Sequence, residues 1–333
     1  MKILKLPELW RQMREMDLEA VRREAERPFQ VLLAGEADDV EGVSRLLSGP
    51  EGHHPWVLRV DPAEARRRAG SGLIDLAIAV TPVPDASPAL RAAIEVLAAA
   101  RVPTLTAVRA ATARPSDALV RAGETARAVV PTLDAKGLDA LAEGVVATAP
   151  PALRIALARQ LPPLRPRVLS ALIEDAARTN ALYSLTTGLA EVVPVLNAPL
   201  NLADVVVLTK NQLLMSYRVA LAAGKRGRGR ELVAEVAGVI GGGLLLRQAG
   251  RGLIGLIPGV GIVPKVAVAY AGTIAIGRAV AAWAAGGERL TKEAVSGFYR
   301  DAWKRAKEVA SELVARARST AKAARPRLPR RKR

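Results

Sequence analysis

No cysteine occurs in the 333 residues, which excludes disulfides and thiolate metal sites and is compatible with a reducing compartment. The only two histidines, His53 and His54, stand side by side in EGHHP, where a loop is expected and no metal site follows. With no thiol, both imidazoles in one loop and neither GxSxG nor HExxH present, nucleophilic and metal catalysis lack their usual groups. Aromatic residues make up 3% of the chain, leaving few surfaces on which single-stranded bases could stack. Zinc-ligand spacing and an RNP-like aromatic pair are absent too. The opening MKILKLPELWRQMREMDLEA is charged throughout and holds no continuous apolar run, so no secretory leader is expected and the N-terminus is expected in the cytoplasm.

What is present is apolar and unevenly charged. Half the residues are hydrophobic, mainly Ala, Leu and Val, and the length exceeds what one core usually needs, so two domains are expected. Residues 28–149 carry 12 Lys and Arg against 15 Asp and Glu, whereas 150–333 carry 30 against 11. The basic character therefore belongs to the second half. Its end, RARSTAKAARPRLPRRKR from Arg316, has nine basic residues and no acidic one, and a disordered polyanion-seeking tail is expected over 319–333.

Leu4, Leu6, Leu9, Trp10, Met13, Met16 and Leu18 are spaced for one face of an amphipathic helix over 1–27, which Pro28 stops. Short apolar runs bounded by turn residues then follow at 29–36, 55–62, 73–84, 102–110 and 126–134. Helix-like segments separate them, among them 87–100, with Ser87 as N-cap and Pro88 at N1, and 135–149. Alternating strands and helices predict an α/β domain with a mostly parallel sheet over 28–149. From Pro150 the punctuation thins and helical periodicity predicts an all-α domain over 150–318. Asp75, inside an apolar strand, is expected to bond backbone amides.

In order, these α/β elements resemble a degenerate Era-like P-loop GTPase domain: VLLAGE falls where the P-loop strand ends, and VPTLTAVRA where the guanine-reading strand sits. The chemistry departs from that pattern. A P-loop needs GxxxxGK[ST], because backbone amides and a lysine neutralise the phosphates while the hydroxyl holds magnesium. Here Gly35 is followed by Glu36, Ala37, Asp38, Asp39, Val40, Glu41, Gly42, Val43 and Ser44, so Val43 replaces the lysine and four carboxylates would face a polyanion. VRAA at 108–111 offers nothing to read guanine. No GTP hydrolysis, catalytic residue, cofactor or metal is expected.

The tetrapeptide Thr209, Lys210, Asn211, Gln212 looks like a guanine-reading NKxD loop, but Leu208, Gln212, Met215 and Val219 share one helical face, so a helix is predicted instead. Asp204, Lys210 and Asn211 could form a polar site, though a solvated or inter-domain face is the simpler reading. Asp204, Thr209 to Gln212, Met215, Gly224, the LIPGVG turn with Gly259 and Gly261, and YAGTIAIGRA at 270–279 together resemble the GTPase-associated helical family known as domain of unknown function 697, found also in YcjF-type membrane proteins. That resemblance covers roughly the second half of the chain. It implies a GTPase-linked, membrane-associated helical module and no reaction.

Membrane contact is also expected from composition. Residues 231–284 hold three apolar runs that suit a hairpin or a shallow insertion, with a Gly- and Ala-rich soluble core as the alternative. GKRGRGR supplies Lys225, Arg226, Arg228 and Arg230 just before them, as cytoplasmic anchors on anionic lipid. The reading is a non-catalytic scaffolding protein on the cytoplasmic side of the cell membrane, with a protein partner or a second copy as further partners. A soluble nucleic-acid binder, which the pI of 10.9 would suit, and a residual GTP-binding regulator are the alternatives.

Overall fold

The structure, a computed structural model, describes residues 17–49, 53–110, 117–190, 197–227, 229–239, 262–287 and 292–323. It divides into two compact units, one an α/β unit of residues 19–171 with 221–226, the other helical and built from the described residues of 1–18, of 172–220 and of 227 onward.

The chain enters through helix α1 (Leu18–Glu26) and then alternates through β1 (Val31–Ala34), α2 (Ala37–Ser48), β2 (Val57–Val60), α3 (Pro62–Arg68), β3 (Leu76–Thr81), α4 (Pro88–Ala99), β4 (Thr104–Val108), α5 (Asp117–Ala122), β5 (Ala126–Val129) and α6 (Ala135–Thr148). All five strands are parallel, in the order β2-β1-β3-β4-β5. Each expected apolar run contains one of them. The runs are continuous because the sheet is covered on both faces. Leu32, Ala34, Ala77 and Ala79 pack with Ala65 of α3, Leu90, Ala93, Ile94 and Leu97 of α4, and Leu119 of α5. Leu105, one residue out of phase, meets α6 at Gly144 on the opposite face. Leu32, Leu33, Leu76, Ile78 and Leu105 are fully buried, each contributing about 1.5–3 kcal/mol from apolar burial.

Helix starts follow local chemistry. Ser87 Oγ accepts a hydrogen bond from the Leu90 amide at 3.3 Å, with Pro88 at the first helical position. Asp61 caps α3 by accepting from the Glu64 amide at 2.8 Å. Asp134 caps α6 by accepting from the amides of Lys136 at 3.0 Å and Gly137 at 3.1 Å. These bonds and the Thr132 hydroxyl hold its carboxyl below the usual range, with Thr132 the largest cause.

Beyond Pro150 the chain is helical, through α7 (Arg154–Gln160) and α8 (Arg165–Ala190). Residues 150–171 nevertheless pack with the α/β unit. Ile155, Ala156, Leu157 and Ala158 are buried there. Arg167 makes a bidentate pair with Asp139 of α6, at 2.7 and 2.8 Å, and reaches Glu143 at 3.2 Å.

The helical unit comprises the rest of α8, most of α9 (Asn197–Ala222), α10 (Gly229–Val239), α11 (Ile262–Gly286) and α12 (Lys292–Ala323). α11 and α12 pack against each other, with Ala275 and Ala279 on Val295, Phe298 and Tyr299. α11 comes so close to α8 at Gly277 that an added Cβ would stand 2.6 Å from Ile173 Cγ1 and Cγ2. Residues 319–323, expected in a disordered tail, continue α12; the Ser319 and Thr320 hydroxyls bond back to the Arg316 carbonyl at 2.8 and 3.0 Å. The remaining tail residues, the LIPGVG turn and residues 1–16 lie outside the described residues.

Candidate functional site

The strand order reverses between β1 and β3, and in open α/β sheets ligands bind beyond the carboxyl ends of the strands at such a point. Gly35 sits there. Its Cβ, if present, would lie 2.4 Å from the Val80 carbonyl oxygen of β3, so only glycine lets the backbone pass. Glu36 follows as an N-cap without a side-chain cap bond, and α2 begins at Ala37. The connection from strand to helix is thus two residues long. Gly42, Val43 and Ser44, the positions aligned above with the end of a P-loop, are buried within α2.

A cavity of about 470 Å³ opens beside Gly35, lined among others by Asp38, Glu41, Arg59 and Asp61. Glu41 pairs with Arg45 at 3.0 Å and with Arg59, and Arg109 pairs with Asp39 at 3.2 Å. The cations at this edge are therefore matched to carboxylates already in place, and a polyphosphate would meet uncompensated negative charge from Asp38 and Asp61. Asp75 lies just before β3, pairs with Arg27 and accepts the Gln30 amide at 3.1 Å. Burial holds the His54 imidazole below its ordinary pKa. Among the described residues no cluster of three or more His, Asp or Glu is placed to hold a metal.

The helical unit brings together several residues singled out by sequence. Thr209, Gln212 and Met215 of α9 are buried, while Lys210 and Asn211 are half-buried. Asn211 Nδ2 donates to Asn180 Oδ1 of α8 at 2.8 Å, Asn180 Nδ2 donates to Thr273 Oγ1 of α11 at 2.9 Å, and Gln212 Nε2 donates to the same oxygen at 3.3 Å. Thr273 in turn donates to the Ala269 carbonyl at 2.8 Å. A threonine hydroxyl has one donor and two acceptor sites, and here all three are used. The network ties three helices into one register. Next to it Tyr270 donates to Glu174 at 2.5 Å, and Glu174 also receives Arg178 at 2.7 Å. Burial and then the Glu174 carboxylate push the Tyr270 phenol up to about 12.

Asp204 is in α9, its side chain outside the described residues, as are Gly259, Gly261 and Arg228. Lys225 is half-buried and its carbonyl accepts from Arg159 at 3.0 Å; Arg226 is exposed and Arg230 lies in α10. Sequence reasoning passed over Asn180 and Thr273. The one available signal was an amide or hydroxyl inside an otherwise apolar helical face. Gln212→Leu is expected to cost about 1 kcal/mol, because Thr273 keeps Asn180 as a donor and only one bond is lost. The midpoint of urea unfolding checks it.

Comparison with known protein families, with curated proteins and with solved structures finds no match for this chain.

Proposed function

We propose that this chain is a non-catalytic interaction module held at the cytoplasmic face of an anionic membrane, its α/β unit a GTPase-like scaffold without nucleotide chemistry. The two-residue connection from β1 to α2, with Val43 buried in the helix that follows, carries the reading. A phosphate cradle needs a longer loop whose successive amides point at the ligand, and a lysine beside them. The link to GTPase partners and to membranes comes from the resemblance of Asp204, the 209–212 tetrapeptide and the 270–279 segment noted in the sequence.

Attachment in this reading is peripheral. α11 is the one described helix long and apolar enough to cross a membrane, and 78% of its most apolar window is buried inside the fold. Its apolar side chains are spent on protein neighbours, and Arg278, the charge that interrupts it, is exposed. Surface cations then supply the attraction, each Lys or Arg near anionic lipid contributing about 1 kcal/mol before screening.

Two measurements test the proposal. Titration of the full chain with mant-GTP and magnesium is expected to show no binding, and micromolar affinity would restore a nucleotide switch. Flotation with phosphatidylserine-containing vesicles is expected to carry the protein upward at low salt and release it at high salt. Replacing Lys225, Arg226, Arg228 and Arg230 with Ser is expected to weaken that flotation. A wild-type chain that stays at the bottom under every condition removes the membrane from the reading.

A further inference from the structure

α12 carries a line of cations that no described residue pairs with. Arg300, Lys304, Lys307 and Arg318 are all exposed, and none makes an ion pair or hydrogen bond among the described residues. At 100° per residue they fall within about 60° of arc, and at 1.5 Å per residue they span about 27 Å. Exposed Ser311 and Ala315 fill the gap between Lys307 and Arg318 with short side chains. The opposite side of the helix is apolar and buried, through Val295, Ala302, Ala306, Val309 and Ala310.

The other charges of α12 behave differently. Arg305 pairs with Glu308 at 3.4 Å and Arg316 with Glu312 at 2.7 Å, on the neighbouring column of the helix. Glu293, at the start of the helix, is the only carboxylate on the line of the four free cations. Side-chain pairing has thus been confined to one column and left out of the next.

The shape of this stripe favours one partner. It is straight, and from Lys292 to Ala323 the helix has no Asn or Gln with which to read a base edge. Its aromatic pair, Tyr299 and Trp303, is stacked ring on ring at 5.7 Å and half-buried, not open to receive bases. A straight row of exposed cations with no group for reading bases matches a flat, diffuse anionic surface.

We infer that the Arg300, Lys304, Lys307, Arg318 stripe of α12 is the face that lies on anionic lipid. This rests on the membrane reading above and names its contact surface. Two double variants of equal charge change separate the stripe from net charge. Lys304→Gln with Lys307→Gln removes two stripe cations, whereas Arg305→Gln with Arg316→Gln removes two paired ones. Binding of the full chain to vesicles of phosphatidylcholine with a minority of phosphatidylserine is expected to weaken about 10-fold in the first and less than about 3-fold in the second at low salt. Far-UV circular dichroism on melting checks that both keep their helix.

Equal weakening by the two doubles would overturn the stripe and leave membrane attachment standing. Wild-type protein that binds no vesicle, anionic or neutral, removes the attachment and the stripe's role with it. Wild-type protein that shifts a mixed-sequence DNA duplex more tightly than it binds vesicles, and loses that shift in the first double only, assigns the stripe to nucleic acid and overturns the lipid assignment.

Discussion

Thr273→Val is expected to lower the unfolding free energy by about 3 kcal/mol, although it removes almost no volume. The valine fits the space but can neither accept nor donate. Asn180 Nδ2 and Gln212 Nε2 then lose the oxygen they share, and Asn180 is fully buried, shielded from bulk solvent. Each stranded polar group costs about 1–3 kcal/mol. Thr273→Ser keeps the hydroxyl, gives up one methyl and is expected to cost about 1 kcal/mol. Urea midpoints of the two variants therefore separate in an order opposite to their loss of apolar surface. A Thr273→Val protein as stable as wild type would mean that the amides find other partners, and the three-helix register would need another source.

Gly35→Ala is the second large effect, again about 3 kcal/mol, and its origin is steric. The added methyl meets the Val80 carbonyl oxygen at 2.4 Å, and that oxygen belongs to the end of a central strand and cannot swing aside as a side chain could. Relief requires β1 and β3 to part where their register is Leu33 to Ile78 and Ala34 to Ala79. Gly70 provides the contrast, since its Cβ would meet nothing within 4 Å. Gly70→Ala is expected to be neutral or to stabilise by about 0.5 kcal/mol by restricting the unfolded chain. Thermal unfolding of both variants checks the pair, and equal midpoints would contradict the close-approach argument.

The strands were legible because a sheet covered on both faces writes itself as short unbroken apolar runs, and Pro, Gly and Asp punctuate them. Ser87 and Pro88 announced α4 in the same way, through bonds made within one turn. Residues 150–171 were harder. Their helical pattern is plain, but which unit they pack on depends on partners such as Asp139, reached by Arg167 across 28 positions. Gln212 could be noticed as an amide on an apolar face. Its partner Thr273 lies 61 residues away in a segment that reads as ordinary apolar helix. Hydropathy has a similar blind spot over 262–286, because lipid and a protein interior demand the same side chains of a helix.

The two outer strands of the sheet each carry an arginine in the middle of an otherwise apolar sequence. Arg59 in β2 pairs with Glu41, and Arg127 in β5 pairs with Glu124 at 2.5 Å. Every inner strand has neighbours on both sides, whereas β2 and β5 each have a strand neighbour on one side only. The Arg59–Glu41 pair at the β2 margin is part-exposed, so a foreign strand docking there would have to dehydrate it, whereas Arg127 and Glu124 at the β5 margin are already largely buried. Where copies of the protein crowd together, that charge disfavours growth of the sheet into a continuous ribbon through the β2 edge.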